Sequence, residues 1–532
     1  MIEKEIDFNE DARYKLSNGI NKLANAVKQT LGAAGNTVIL EDELGRPHIT
    51  KDGVTVAKSI NLSDPVEHLG ATIVKQASIK TADQAGDGTT TSIVITQSLI
   101  NSAFDRIQRG DLNVTKLRNA LEILSEDVVK SVSKRSKAVT KENLKDVATI
   151  SANNDVDLGN IIADAYLRVG VDGAVTIEES MTKETYTEII EGTRMKRGFH
   201  SPYMITDKEK NQAILENAFV LISDKKITVI EDIESCLRVA MQSKRPIFIV
   251  SEMETAVMNL LNVNKARGVL NVNVVNPEGV GMNRFELLED LAIMTGAILV
   301  SDETGNDFSA VTEDFLGEAK KVVSTDKETI ITLKNEKTAD AVKQRAEMVR
   351  NILKKKEDKA NTWHYKDRLS RLSGGIAAIH VGALTEIEMK EKKDRVEDAI
   401  FATRAALEEG IVAGGGVALY NAAMDIQSRY FKEKDKEVKE ACLILASAFV
   451  APIRQILENS SIDYDSFVEK IDSVRRRNYG YDVKKKRFGN MFAMGIIDPL
   501  KVTRNAIQNA ISVSITILTT NCVISNKRAL ER

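Results

Sequence analysis

The sequence predicts a multi-domain protein of α and α/β type, mainly helical in its first and last thirds and α/β in its middle third. Three observations carry this. Apolar residues recur at three- and four-residue spacing over both ends of the chain. Short β-type runs alternate with helical stretches from about residue 174 onward. Glycine turns bearing hydroxyl or charged groups punctuate the helix ends of the outer thirds. An economical architecture folds the two ends together as a base and inserts the middle as a mobile domain.

Composition narrows the function classes. The chain has 532 residues, 43% apolar and 28% charged, which suits several globular cores. Lys+Arg 74 against Asp+Glu 77 leaves a net charge of −3, so no overall basic excess argues for nucleic acid. Cys236, Cys442 and Cys522 are far apart, odd in number and without metal spacing, as expected of structural thiols in a reducing compartment. The N-terminus has neither a signal-peptide nor a transit pattern, and no apolar run reads as long enough to span a bilayer. The expectation is a cytoplasmic protein with no membrane partner.

Taken in order, residues 9–31 predict a helix with Ala12, Leu16, Ile20, Leu23 and Val27 on one stripe. It stops at Thr30-Leu31-Gly32-Ala33-Ala34-Gly35. Thr37 to Leu40 and Pro47 to Thr50 read as short strands around Glu43-Leu44-Gly45-Arg46. Thr50-Lys51-Asp52-Gly53 is a polar turn, and a helix over about 64–82 leads to Gly86-Asp87-Gly88-Thr89-Thr90-Thr91. Residues 113–133 and 141–169 are mostly helical, with Ser133 to Lys137 a basic linker. Val175 to Ile177, Glu188 to Ile190, Phe219 to Ile222, Ile247 to Val250, Val272 to Val275 and Ile298 to Val300 are the β-type runs. They suggest an α/β domain over roughly 191–375, with hinges at Glu191-Gly192 and Ser373-Gly374-Gly375. The charged stretch 334–371 reads as helical. Residues 384–409 form an amphipathic helix with Val396, Ile400, Thr403 and Leu407 on its stripe and Asp398 on the polar side. Gly410 to Gly416 is a further glycine turn. Helices follow over 417–432 and 434–457, and Lys484-Lys485-Lys486-Arg487 is a basic loop. Asp498-Pro499 reads as the N-cap and first position of a last helix running to about Cys522.

The Gly86–Thr91 stretch is the candidate functional centre. Glycines let a backbone turn sharply and approach a ligand. Hydroxyls and free N–H groups at a helix start suit phosphate oxygens. Asp87 is a hard oxygen ligand of the kind magnesium uses beside nucleotide phosphates. No Gly-Lys-Ser/Thr follows at P-loop spacing. An unrelated small-molecule kinase built on this loop ranks far behind the alternatives below.

These motifs closely resemble group I chaperonins of the GroEL kind. The resemblance rests on Thr30-Leu31-Gly32, Thr50-Lys51-Asp52-Gly53-Val54, Gly86 to Thr91, Ala148-Thr149-Ile150-Ser151-Ala152-Asn153, Glu388 to Lys393, Arg395 to Ala399, Ala402 to Ala406, Ala413 to Leu419, Tyr479-Gly480-Tyr481, Gly489-Asn490-Met491 and Asp498 to Arg504. It covers nearly the whole chain, in order. It implies a chaperonin fold: a helical equatorial ATPase domain from 1–133 and 409–532, an α/β intermediate hinge domain from 134–190 and 376–408, and an α/β apical domain from 191–375.

The resemblance also implies function. Such proteins bind non-native client proteins, hydrolyse ATP with Mg2+ and assemble into seven-membered homo-oligomeric rings, with a co-chaperonin lid in some. By resemblance, Thr30, Leu31 and Gly32 cradle nucleotide, Gly88, Thr89, Thr90 and Thr91 hold phosphates, and Asp87 binds the metal. Asp398 activates the attacking water and Asp52 assists. Lys51 adds positive charge or a backbone ligand for a monovalent cation, K+. Ile150, Ser151, Gly415, Asp482, Lys484 and Asp498 belong to the nucleotide site, Asp498 on the ribose. Phe199, Tyr203, Met204, Ile233, Leu237, Met258, Leu261 and Val263 are expected to take clients, and Arg197 and Glu386 match an inter-subunit salt bridge. The alternative is a holdase that binds unfolded proteins without productive ATP cycling.

The sequence departs from the family in places. Ala33 and Lys137 replace prolines, Asp482-Val483-Lys484 replaces Asn-Ala-Ala near the adenine, and Glu234 and Asn262 stand where apolar residues are usual. The helix near 252–266 is one residue short. The last residues, 526–532, lack Gly-Gly-Met repeats. Arg109 stands near the ring-to-ring contact, where its charge would weaken paired rings.

Overall fold

A computed structural model of the chain describes residues 3–41, 45–109, 112–170, 173–180, 182–208, 210–334, 338–355 and 362–526. The turn at Glu43-Leu44, part of the charged helical stretch between 334 and 371, and the tail beyond 526 lie outside the described residues. The chain divides into two compact units, Met1–Ala163 with Lys390–Arg532, and Asp164–Met389.

The first unit is mainly helical. In its N-terminal part, β1 (Lys4–Phe8) leads into α1 (Asn9–Val27), a hairpin of β2 (Val38–Glu41) and β3 (Pro47–Thr50), then α2 (Gly53–Ser59), α3 (Pro65–Ala85), α4 (Thr89–Arg109), α5 (Val114–Ser133), α6 (Lys141–Ser151) and α7 (Val156–Val169). Asp64 caps α3, accepting from Val66 N and Glu67 N, with Pro65 in the first turn. Asn113 caps α5 in the same way through Lys116 N.

The second unit, entered within α7, carries β4 (Ala174–Glu179), β5 (Tyr186–Met195), β6 (Ala213–Ile222), α8 (Glu234–Ser243), β7 (Ile247–Val250), α9 (Thr255–Ala266), β8 (Val272–Val275), α10 (Met282–Thr295), β9 (Gly317–Ser324), β10 (Thr329–Leu333), α11 (Ala339–Lys355), α12 (Thr362–Ser373) and β11 (Gly375–Val381). Its eight strands form one mixed sheet in the order β4-β11-β5-β10-β9-β6-β7-β8. The central strands are covered on both faces. Val220, Ile222, Phe248 and Val250 pack towards α10, α11 and α12. Leu221, Ile247 and Ile249, one position over, pack towards α8 and α9. Burial on both sides explains why these strands read as unbroken apolar runs.

Three expectations change in this unit. Ile298 to Val300 forms no strand; only Val300 makes a bridge, with Ser223. Strands β9 and β10 went unread, because Lys320, Lys321 and the threonines of β10 break up their apolar pattern, and β11 went unread behind the glycines taken as a hinge. Glu191-Gly192 is no loop but lies inside β5, where a Cβ on Gly192 would come within 2.0 Å of Ile376 Cδ1. Its glycine serves close strand packing. Gly375, at the other expected hinge, is the register partner of Glu191, so the two crossings of the chain lie side by side in the sheet.

The chain returns to the first unit along α13 (Glu386–Glu409). It continues through β12 (Ile411–Ala413), α14 (Val417–Tyr430), α15 (Lys436–Asn459), α16 (Tyr464–Val474), the hairpin β13 (Tyr479–Asp482) and β14 (Arg487–Asn490), β15 (Ile497–Pro499), α17 (Leu500–Leu518) and β16 (Cys522–Asn526). The two ends do fold together. Ile95, Leu99, Leu121, Leu445, Phe449, Ile507 and Ile511 share one core drawn from α4, α5, α15 and α17. A second core joins α1, α3 and α4 through Leu16, Ile20, Val74 and Ile100. β16 pairs antiparallel with β1, from Lys4 with Asn526 to Phe8 with Cys522.

Two sequence expectations are corrected here. Helix α15 does hold an apolar run long enough to cross a membrane, with mean hydropathy 1.5. Its residues Ala441, Cys442, Ile444, Leu445, Ala448 and Phe449 are buried in the first core, so its hydropathy is that of a core helix. Asp498 does not cap α17; it lies in β15 as the register partner of Val412, and the cap position is Pro499. Lys137, where the family has proline, exchanges both backbone hydrogen bonds with Ile411 at 2.9 Å, one of which needs an N–H that proline lacks. Arg109 is paired with Asp105 one turn earlier, at 2.8 Å, which offsets the charge expected to repel a second ring.

Candidate functional site

The site is built from four glycine turns of the first unit. Helix α3 ends at Gly86, whose φ of +76° is the left-handed cap that glycine accepts without strain. Asp87 follows, then Gly88 at φ +88°, then the first turn of α4. The loop has no spare room. A Cβ on Gly86 would sit 2.0 Å from Phe401 Cβ of α13, and one on Gly88 would sit 2.8 Å from Val502 Cγ1 of α17. The N–H groups of Thr89, Thr90 and Thr91 are those that a helix start leaves without an intrahelical carbonyl.

The second turn holds Asp52 at the cap of α2. Its carboxylate accepts from Val54 N at 3.0 Å and from Thr55 N at 2.8 Å. Thr55 Oγ1 adds a third bond at 2.7 Å. Gly53 is wedged between the first two turns and Thr30. A Cβ there would come 2.0 Å from Thr90 Oγ1 and 3.3 Å from Thr30 Oγ1, so Thr30, Asp52 and Thr90 converge. Leu31 is extended and Gly32 turns at φ +86°. Despite Ala33, this turn is closed by Gly35 N to Gly32 O at 2.9 Å and Asn36 N to Gln29 O at 2.7 Å.

Sequence reasoning missed Asn459, at the end of α15. Its side-chain amide donates to Lys28 O and Leu31 O, both at 2.9 Å, and to Gln29 O at 3.3 Å, and so holds the Thr30–Gly32 turn in place. An asparagine following a long apolar run reads only as a helix end, so no local signal pointed to it.

The fourth turn, Gly414 to Gly416, meets Asp498. Built on Gly414, a Cβ would lie 2.9 Å from Asp498 Oδ1. Gly415 adopts φ +60° and faces Met491. Helix α6 closes this side. Val147 packs with Ala402, Ala406, Ile411 and Ile497, and Ile150 and Ser151 lie in its last turn, half-buried.

Asp398 projects from the polar side of α13, one turn before Phe401. Solvent reaches Asp52, Asp87 and Asp398. Protein nevertheless surrounds the last two closely enough to penalise their charged forms, which describes an open but concave cleft. Burial, then the charges of Asp87 and Asp52, raise the Asp398 carboxyl well above the usual range. Burial also raises Asp87, with Asp52 adding to it and the Gly88 N–H opposing it. Asp498 is pushed up to about 7, by burial and then by Asp87. Asp87 thus lies within electrostatic reach of Asp52, Asp398 and Asp498.

Such a cleft calls for a cation. Among the described residues no three His, Cys, Asp or Glu side chains are grouped closely enough to hold a metal by themselves. That fits the way Mg2+ is usually bound, by one or two carboxylates plus substrate phosphates and water. Asp87 is suited to it, because its carboxylate takes the Gly88 N–H on one oxygen and lies within electrostatic reach of both Asp52 and Asp398. Asp52, with both oxygens taken by donors, is a weaker candidate. Lys51 is exposed beside it.

The other expected nucleotide contacts stand differently. Asp482 is buried and caps the tip of the β13–β14 hairpin, accepting from Lys484 N and Lys485 N at 3.0 Å each. The carboxylate that replaces the family's amide is therefore occupied by backbone. Lys484 is exposed.

The expected client surface is only partly a surface. Met204, Ile233, Leu237, Met258 and Leu261 are buried in the core under α8 and α9, and Phe199 packs against that core. Tyr203, 70% exposed, and Val263, 45% exposed, do face solvent. Met241 and Leu260 are exposed as well. Glu234 is exposed and paired with Arg238 on α8. Arg197 and Glu386 are both exposed.

A helical unit that gathers glycine turns and carboxylates from both chain ends, with an α/β unit inserted between them, is the architecture of a chaperonin. The chain belongs to the TCP-1/cpn60 chaperonin family, whose profile it matches over residues 23–528. Its fold is similar to that of the chaperonin gp146 from bacteriophage EL 2 (Pseudomonas aeruginosa), crystallised in the presence of ATP-BeFx. Crystal form II matches with a TM-score of 0.71 at 22% identity, over 98% of this chain and 99% of that one. Crystal form I matches with a TM-score of 0.65 at 21% identity and the same coverage.

Proposed function

We propose that this protein is an ATP-dependent chaperonin of the group I type, cytoplasmic, which binds non-native proteins and promotes their folding through ATP binding and hydrolysis in a homo-oligomeric ring. The observation that carries the reading is the convergence of Asp52, Asp87 and Asp398 on the glycine turn and bare helix start at Gly86–Thr91. Phosphoryl transfer asks for little beyond positioning and charge neutralisation. The N–H and hydroxyl groups of Thr89, Thr90 and Thr91, with Thr30, suit the phosphate oxygens. Asp87 would hold Mg2+, which supplies charge neutralisation on the phosphates. Asp398, raised in pKa and, among the described residues, without a backbone hydrogen-bond donor, would take the proton of the attacking water. Lys51 would serve K+ or add charge. Ile150, Ser151, Gly415 and Asp498 would take the nucleoside end. The three-part division into equatorial, intermediate and apical domains belongs to this reading, with clients bound on the apical face around Tyr203, Leu260 and Val263. Ring size and a co-chaperonin lid remain parts of the proposal.

The test is refolding of a chemically denatured, aggregation-prone enzyme, with phosphate release followed in parallel. ATP-dependent recovery together with phosphate release is the expected result. Suppressed aggregation with neither would favour the holdase alternative.

Ring formation has its own support. The β2–β3 hairpin exposes Ile39 by 71% and Ile49 by 66%, and the β1–β16 ribbon exposes Ile6, Phe8 and Ile524. Each is a two-stranded sheet with open edges, which proteins seldom leave uncovered. Seating the hairpin of one copy on the ribbon of the next is a head-to-tail contact, which closes into a ring. Each isoleucine would contribute about 2 kcal/mol per interface. We expect a particle of roughly 410 kDa, or twice that for paired rings, from the 58.6 kDa chain. The Ile39→Asp/Ile49→Asp double variant should fall to chain mass by light scattering. A variant that keeps the full particle mass would remove the hairpin from the interface.

A further inference from the structure

The first unit carries one dense group of cations that the proposed chemistry leaves unused. Arg475, Arg476, Arg477, Lys484, Lys485, Lys486 and Arg487 lie within thirteen residues, and all are exposed, in a chain of net charge −3. Arg477 is committed to Asp425 at 2.9 Å. Among the described residues, Lys484 to Arg487 have no ion-pair partner. Asp482, the acid nearest them in sequence, spends its carboxylate on the backbone of the turn.

The hairpin that bears these four is fixed to the cleft. A Cβ on Gly480 would lie 2.6 Å from both Met491 Sδ and Val417 Cγ2, so β13 presses on the start of α14. Met491 in turn faces Gly415, next to the Gly414 that touches Asp498. On the other side the tip reaches α6. Asp146, raised by burial, is pulled back by Asn143 and by the charge of Lys485. Asp146 lies one turn before Ile150 and Ser151. The cations therefore stand on the shoulder of the cleft, between the Gly414–Gly416 turn and α6.

A cleft holding four carboxylates repels the anion it must admit. A nucleoside triphosphate arrives with net negative charge even when it carries Mg2+. Cations set beside such a mouth offset the negative potential and raise the encounter rate, an effect that salt screens over a Debye length of roughly 8 Å. We propose that the Lys484–Arg487 tip is an electrostatic capture surface for nucleoside triphosphate, setting how fast the site fills. It rests on the nucleotide reading above and adds residues that act on arrival.

The test uses stopped-flow binding of a fluorescent N-methylanthraniloyl ATP with Mg2+ to the full chain, from 25 to 250 mM KCl. The variant is K485Q/K486Q/R487Q. The control, K432Q/K434Q/K436Q, removes the same three charges near the start of α15, about 35 Å along that helix from Asn459 and the cleft. The wild-type association rate should fall about tenfold over this salt range. The tip variant should start about fivefold slower at low salt and show a much flatter salt slope, with its dissociation rate within twofold of wild type. The control should follow wild type. A tip variant that associates as wild type does, with the same salt slope, overturns the proposal. So does a variant altered only in dissociation, which would mark direct contact. Loss of binding to a single-stranded RNA oligonucleotide with unchanged ATP association would assign the tip to nucleic acid instead. A wild-type chain that binds no nucleotide at all would overturn the proposed function itself, and this inference with it.

Discussion

Replacing Asp398 with asparagine is expected to cut steady-state ATP hydrolysis by about 100-fold or more, the size of effect that removal of a general base produces. The variant should still bind nucleotide. Asparagine keeps the shape of the side chain but cannot accept a proton at neutral pH. It also relieves the cleft of a carboxyl whose charged form burial and then Asp87 and Asp52 oppose, so that less negative charge faces the incoming phosphates. Mg-ATP affinity should therefore hold or rise while turnover collapses. The contrast with Asp52 follows from their bonds. Both Asp52 oxygens already accept from the start of α2, so Asp52 is held at the helix start and acts through its charge. Asp398 is raised well above the usual carboxylate range, which makes it the stronger base of the two. The wild-type rate should accordingly decline on the acid side as Asp398 takes up its proton. Single-turnover phosphate release, with binding measured separately, checks the claim. Retention of the wild-type rate within threefold would place the base elsewhere.

How much of this was legible beforehand depended on which physical signal each residue carried. Glycine at positive φ and a carboxylate at a helix end leave marks in sequence, so Gly32, Gly86, Gly88 and Gly415 read as turns with Asp52 and Asp87 beside them, whereas Asp398, in the middle of α13, carries no such mark and was named by the family resemblance alone. The convergence of their turns is a long-range fact; it had to come from packing of α13 on the Gly86 loop through Phe401. Asp498-Pro499 has the spelling of a capped helix start, but pairing of β12 with β15 claims Asp498 first. Helical periodicity misled in the α8–α9 region for a definite reason. The apolar stripe of an amphipathic helix marks the face that is buried. Reading that stripe on α8 and α9 therefore selected Ile233, Leu237, Met258 and Leu261, which are core. Val263, read with them, is exposed, and so are Met241 and Leu260. The strands β9 and β10 were lost because Lys320, Lys321 and the threonines dilute their pattern, although Val322 and Ile331 are buried.

The second large effect concerns Asp498, where stability and binding pull apart. Its carboxyl sits near 7 in the folded protein, against an ordinary 3.8. Between those values the native state holds a proton that the unfolded chain releases. Stability of the nucleotide-free protein should therefore decrease as pH rises from about 4 to about 7, and stay reduced above. Asp498→Asn removes the ionisation. The variant's thermal midpoint should exceed that of the wild type at pH 8 by about 2–4 °C, with the gap closing towards pH 4. Nucleotide binding should move the other way. Asp498 would accept a hydrogen bond from the nucleoside end, and an amide is a weaker acceptor than a carboxylate. A loss of about tenfold in ATP affinity is expected, so that added Mg-ATP raises the wild-type midpoint by more than that of the variant. Melting curves at pH 4, 6 and 8, with and without Mg-ATP, separate the two effects. If the variant melts no higher than the wild type at pH 8, the buried charge is not a strain in the empty site. If ATP then stabilises both equally, Asp498 does not touch the nucleotide. The expected pattern is that of a binding site held in an unfavourable charge state until its ligand arrives, the usual relation between a functional carboxylate and the fold that bears it.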